Sequence, residues 1–207
     1  MKREIHSTTI RDRIIGSKEG SIFVPSDFKD ITERNTIKMV LSRLCDEQII
    51  RRIMRGVYDR PEFSNLLQEF VAPSPDKIAQ AIARNYGWTI VPCGDTALNL
   101  LGLSTQVTNV WSYVSDGPYK SYVFDGGQLK FKHTNNKEIT GISYKTALVI
   151  QALKTLGNEK IDEKIILKLS KGLSADEKAT LLSESQYATS WIHETLRQIV
   201  KQGDFYA

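Results

Sequence analysis

The sequence predicts an α+β protein in two parts: a small N-terminal domain and a larger mixed α/β domain that ends in helices. Three observations carry this expectation. Apolar residues follow a helical period, give way to short β-prone runs, and return to helical periods over the last third. Pro61, then Pro73 and Pro75, punctuate the chain where an extended connection is favoured over a continuous helix. Charge is unevenly divided as well. Residues 1–60 hold 13 Lys/Arg against 9 Asp/Glu, whereas residues 61–207 hold 15 of each, so the whole net charge of +4 lies in the first part.

In the first part, Ile10, Ile14 and Ile15 put an apolar stripe on a helix that stops near Gly16 or Gly20. Residues 22–24 form a short strand ended by Pro25, and Ser26 is placed to cap a brief second helix reaching Ile31. Thr32 starts the best-defined helix. Its Ile37, Val40, Leu41 and Leu44 are spaced i, i+3, i+4, i+7, and Glu33 in its first turn suits the helix dipole. Two β-prone runs, residues 49–54 and 57–59, flank Arg55-Gly56 and make a hairpin. The order helix, strand, helix, helix, hairpin is that of a winged helix-turn-helix, expected over residues 1–60.

Residues 61–75 read as a linker with a short bridging helix over 63–71, whose Leu66, Leu67 and Phe70 face inward. Residues 76–207 read as the second domain. It opens with a helix over 75–86, a strand at 88–91 and a short helix over 95–101 closed by Gly102. Strands follow at 110–114, 121–124 and 129–132, with turns at Asp116-Gly117-Pro118 and Asp125-Gly126-Gly127. From Tyr144 the pattern is helical: Ser174 to Glu177 is a capping box, and Ala188, Trp191, Ile192, Leu196 and Ile199 face inward on a last helix.

Several function classes are disfavoured. The longest aliphatic run, residues 147–150, is far below the roughly 20 residues of a membrane span, and no apolar stretch follows Met1-Lys2-Arg3-Glu4. Cys45 and Cys93, widely separated, read as small buried thiols in a reducing compartment, so a cytoplasmic location is expected. His6, His133 and His193 lie in separate segments without metal-ligand spacing, so neither a metal nor a cofactor is expected. Gly94-Asp95 resembles the start of a nucleotidyltransferase signature but lacks a second nearby carboxylate. Asp95 reads instead as the cap of a helix beginning at Thr96, and no enzyme is expected.

The chemistry suggested by the first part is DNA binding. With Ile37, Val40, Leu41 and Leu44 turned inward at 100° per residue, the opposite face carries Asn35, Met39 and Ser42, with Lys38 and Arg43 on its flanks, and Arg34 joins them as a DNA-binding candidate. The first half of such a helix is what a recognition helix inserts into the major groove, where Asn pairs with adenine and Ser or Lys reach base edges or phosphates. Asp46 is expected beyond the duplex. Arg51, Arg52 and Arg55 on the hairpin are expected to grip phosphates, giving affinity and salt dependence. Winged helices also serve as protein-docking modules. For a protein partner the expected anchors are Tyr119, Lys120 and Tyr122, beside a turn, whereas Trp88 and Trp111 are assigned to the core.

Residues 20–23 through Arg55-Gly56-Val57-Tyr58 resemble the N-terminal domain of AbiEi-type antitoxins, an abortive-infection family of transcriptional regulators. Residues 92–107, then 113–118 and 130–133, resemble the C-terminal domain of the same family. The resemblance covers approximately residues 1–140. It implies a type IV toxin–antitoxin system in which this chain represses its own operon by binding an inverted repeat in double-stranded operator DNA. It also implies an AbiEii-like toxin of nucleotidyltransferase fold, counteracted through the second domain. The alternative is a stand-alone winged-helix regulator whose second domain binds a ligand or a protein.

Overall fold

The computed structural model describes residues 2–135, 139–186 and 188–204, and its secondary structure is of the α+β class. Helix α1 (Lys2–Ile15) buries Ile10 and Ile14 completely, while Ile15 turns outward. Strand β1 (Ile22–Phe23) leads into a single 3-10 turn (Pro25–Phe28). Ser26 does not cap it. Pro25, with fixed φ and no N–H, occupies the first position, and the Asp27 carboxylate reaches back to accept from the Val24 N–H at 2.9 Å. Helix α2 (Arg34–Asp46) begins two residues later than the sequence suggested, with Glu33 extended at its N-cap and Thr32 outside.

Strands β2 (Arg51–Met54) and β3 (Val57–Asp59) form the expected hairpin, turned at Gly56 with φ +80°. β3 also pairs antiparallel with β1, giving the order β1-β3-β2. The core between these elements contains Ile10, Ile14, Phe23, Phe28, Ile37, Val40, Leu41, Leu44, Ile50 and Tyr58. At the end of β3, Asp59 is buried and accepts two hydrogen bonds from the Arg51 guanidinium, from Nη2 at 2.5 Å and Nε at 3.2 Å. Arg60 donates to the carbonyl of Ile15, left open at the C-terminus of α1, and to that of Ser17 just beyond it.

Residues 63–71 are a hairpin and not the expected helix. β4 (Phe63–Ser64) pairs antiparallel with β5 (Glu69–Phe70), and Leu66, Leu67 and Phe70 point outward instead of inward. Local hydrogen bonds decide it. Leu67 N–H donates to Ser64 Oγ, Gln68 Nε2 donates to the Asn65 carbonyl, and Val71 N–H donates to the Glu62 carbonyl. Nine residues are too few to hold a helix on their own, and Ser and Asn side chains offer the backbone a competing turn.

Helix α3 (Pro75–Tyr86) is capped by Ser74 and stopped by Gly87 at φ +73°. Assigned by sequence to the second domain, it instead packs on the first. Ile78, Ala81 and Ile82 are buried, and Arg84 bonds the Asp27 carboxylate at 2.7 and 3.0 Å and the Ile22 carbonyl at 3.2 Å. The first unit accordingly comprises residues 1–88 with 122–128, and the second residues 89–121 with 129–207.

Strands β6 (Ile90–Pro92), β7 (Val110–Ser115), β8 (Lys120–Phe124) and β9 (Gly127–His133) form a sheet in the order β6-β7-β9-β8. Helix α4 (Asp95–Leu100) has Gly94 at its cap with φ +60°, so Asp95 is its first residue and not its cap; the carboxylate is exposed in the first turn, where it suits the dipole. Thr96 Oγ1 accepts from Ser112 N–H at 2.8 Å and pins α4 to β7. Tyr113, fully buried, stacks on Phe131. Trp88 and Trp111, expected in the core, are only half-buried, Trp88 lying on the Tyr86 ring at 4.7 Å.

Helix α5 (Tyr144–Leu156) is apolar on both sides because it serves two cores. Ala147, Leu148 and Ala152 join Val91 and Ala97, while Val149, Ile150 and Leu153 face α6 (Glu163–Lys171), α7 (Ala175–Glu184) and α8 (Ser190–Asp204). The capping box of Ser174 and Glu177 forms as expected, and Ile192, Leu196 and Ile199 are fully buried. Among the described residues, no helix is long and apolar enough to cross a membrane.

Glu184 at the end of α7 accepts from Ser143 Oγ at 2.7 Å and from Thr146 Oγ1, at the N-terminus of α5. Burial alone would raise its carboxyl, but these hydrogen bonds outweigh burial and hold it below the ordinary range. A carboxyl depressed by folding stabilises above its unfolded pKa, and that stabilisation is lost as pH falls through the folded value. Glu184→Gln is therefore expected to cost about 1 kcal/mol at pH 7 and to flatten the fall of Tm below about pH 4.5. Thermal melts across pH check this, and parallel profiles for the two proteins would contradict it. Arg51→Ala strands a buried carboxylate and should lower chemical-denaturation stability by roughly 2 to 3 kcal/mol, somewhat less than for a fully buried pair because Arg51 is half-exposed.

Candidate functional site

Helix α2 presents Arg34, Lys38 and Ser42 at i, i+4 and i+8, on one exposed stripe. They line a groove of about 640 Å³ together with Arg52, Arg55 and Gly56 of the β2–β3 hairpin. The remaining walls include Tyr58, the α3 residues Asn85 and Tyr86, and Tyr122. Asp46, expected beyond the duplex, also lines this groove, one carboxylate among four cations.

The electrostatics follow from this composition. The Arg52 guanidinium lies 6.0 Å from the centre of the Tyr58 ring. Burial pushes the Tyr58 phenol up, partly offset by Arg52. Burial, reinforced by the neighbouring Tyr86, pushes the Tyr122 phenol up as well. Burial also raises the Cys45 thiol. These three groups stay neutral at ordinary pH and add no negative charge, so the groove is a cationic concavity with hydrogen-bond donors on its rim.

The eight residues expected to touch DNA are thus sorted. Arg34, Lys38, Ser42, Arg52 and Arg55 converge. Asn35 and Arg43 lie on the neighbouring stripe of α2, where with Ser7, Thr8 and Met39 they line a second concavity of about 520 Å³. Arg51 is a correction. Successive side chains of a strand face opposite ways, so Arg51 and Arg52 cannot both face the groove. Arg51 turns to Asp59, donates to the Val71 carbonyl at 3.1 Å, and covers the Phe70 ring at 5.5 Å.

The expected partner trio was Tyr119, Lys120 and Tyr122. Tyr119 is exposed, with its ring 6.4 Å from that of His133, and Lys120 is exposed. Tyr122 is half-buried and groups with the first unit, where it lines the groove. Sequence reasoning missed Tyr58, Asn85 and Tyr86 as groove residues. Tyr58 could have been found from strand parity; the other two were hidden once α3 was assigned to the wrong domain.

Among the described residues no group of three or more His, Cys, Asp or Glu could hold a metal. The residues lining the groove include no histidine and one carboxylate. Four cations and few opposing charges make the groove chemically suited to an anion. No curated protein matches the chain. A family model described as a family of unknown function, DUF6088, matches residues 9–181 and runs through both units, so the chain belongs to that family.

Proposed function

We propose that the first unit is a winged helix-turn-helix that binds double-stranded operator DNA, and that the chain is an antitoxin that represses its own operon in the manner of AbiEi-type regulators. The single observation carrying the DNA reading is the convergence of Arg34, Lys38 and Ser42 with Arg52 and Arg55 around one groove. The strand order β1-β3-β2 and the succession α1, β1, 3-10 turn, α2, β2, β3 support it, since in that architecture α2 is the recognition helix and β2–β3 the wing. On this reading Lys38, Ser42 and Asn35 read bases, while Arg34, Arg52 and Arg55 hold phosphates. Arg51 braces the wing from behind.

The antitoxin half rests on the resemblance of residues 92–107, 113–118 and 130–133. The chain then neutralises an AbiEii-like nucleotidyltransferase-fold toxin through residues beyond 75, with exposed Tyr119 and Lys120 as candidate anchors. No catalytic step is assigned to this chain, and its working place is the cytoplasm.

The experiment is fluorescence anisotropy on the duplex upstream of its own gene at several salt concentrations, coupled to growth rescue with the neighbouring toxin gene. Arg52→Ala combined with Arg55→Ala is expected to weaken binding on all duplexes and to reduce the slope of log affinity against log salt by about 2, roughly 0.9 per lost phosphate contact. Rescue from the toxin is expected to be unchanged in that variant. An unaltered slope in the folded variant contradicts the groove. Failure of the wild type to rescue growth while still binding DNA leaves a stand-alone regulator.

A further inference from the structure

Residues 62–71 carry five large apolar side chains that face water: Phe63 is 43% exposed, Leu66 91%, Leu67 64%, Phe70 58% and Val71 38%. They sit on the β4–β5 hairpin, which forms its own two-stranded sheet. A lone two-stranded hairpin is marginal in water, and an apolar sheet edge left bare invites pairing. This one is nonetheless well built. Phe63 and Phe70 meet edge to face at 5.3 Å, Gln68 adopts φ +54° in the turn, and Arg51 fixes the base through the Val71 carbonyl and the Phe70 ring. An ordered arm with an uncovered apolar surface is pre-organised for a partner.

We propose that the partner is a second copy of this chain, and that β4–β5 is a dimerisation arm. Two hairpins join edge to edge about a two-fold axis into a four-stranded antiparallel sheet. That number of strands is enough for independent stability. Antiparallel joining sets the tip of each hairpin, Leu66 and Leu67, against the aromatic base, Phe63 and Phe70, of the other copy, so one patch complements itself. The area supports the assignment. The five side chains present on the order of 500 Å² per copy, within the range of a monomer's largest and often functional patch, and two copies that cover each other fully reach the roughly 1,000 Å² that a specific interface requires. Backbone hydrogen bonds along the joined edges add to this. The inference does not depend on DNA binding, although a two-fold dimer is the symmetry that an inverted repeat would match.

The test is sedimentation equilibrium of the full chain without DNA, together with hydrogen exchange at low and high protein concentration. The wild type is expected to sediment at twice the chain mass by tens of micromolar, and the amides of 62–71 are expected to exchange more slowly as concentration rises. Leu66→Glu combined with Leu67→Glu is expected to raise the dissociation constant at least tenfold, with a thermal melt unchanged at concentrations low enough for both proteins to be monomeric, because both side chains are mostly in water in the single chain. A wild-type monomer at all concentrations overturns the proposal, as does a dimer that persists in the double variant. Protection of 62–71 that appears only on adding a different protein gives the surface to that protein and also overturns it. Should the double variant fail to fold, concentration-dependent exchange in the wild type decides alone.

Discussion

The ion pair between Arg51 and the buried Asp59 is the constraint on which the first unit turns. Asp59 is enclosed at the end of β3, and a carboxylate there is tolerable only with a bidentate cation on it. Once Arg51 is committed inward, strand parity sends Arg52 to the opposite face, over Tyr58 and into the groove beside α2. The same guanidinium continues to Val71 and Phe70, so it sets the direction of the β4–β5 arm as well. One buried charge thereby orients two exposed surfaces, one cationic and one apolar.

The separation of those surfaces has a physical logic. A groove that collects four cations gains nothing from apolar neighbours, and an arm that must associate through apolar contacts gains nothing from like charges. Gly56, free to adopt φ +80°, permits the tight turn that brings Arg55 close to Arg52 without a long loop. Neutral phenols at Tyr58 and Tyr122 complete the walls without opposing the field.

How much of this was legible in the sequence depends on the element. The core stripe of α2 was readable because Ile37, Val40, Leu41 and Leu44 repeat at helical spacing and all four are buried. The arm was misread for the same reason: Phe63, Leu66, Leu67 and Phe70 stand at i, i+3, i+4, i+7 and imitate a helix face. Only the competing turn bonds of Ser64, Asn65 and Gln68 reverse that reading, and periodicity does not report them. Pro73 and Pro75 were taken as a domain boundary, yet Pro75 is the first residue of α3 behind the Ser74 cap, a position proline favours. Within the candidate site, the polar side of α2 was legible, but its division between the groove of Arg34, Lys38 and Ser42 and the concavity of Asn35, Met39 and Arg43 was not; nor was the loss of Arg51, because its cause is a partner eight residues away across a hairpin.

The central claim is that α2 and the β2–β3 hairpin act as one cationic surface for duplex DNA. Its most direct test is a backbone-amide NMR titration of the full chain with a duplex from upstream of its own gene. The account predicts that resonances of Arg34, Lys38, Ser42, Arg52 and Arg55 shift together and saturate at the same ratio. Shifts confined to residues 129–186, with α2 and the hairpin unmoved at saturation, would contradict it.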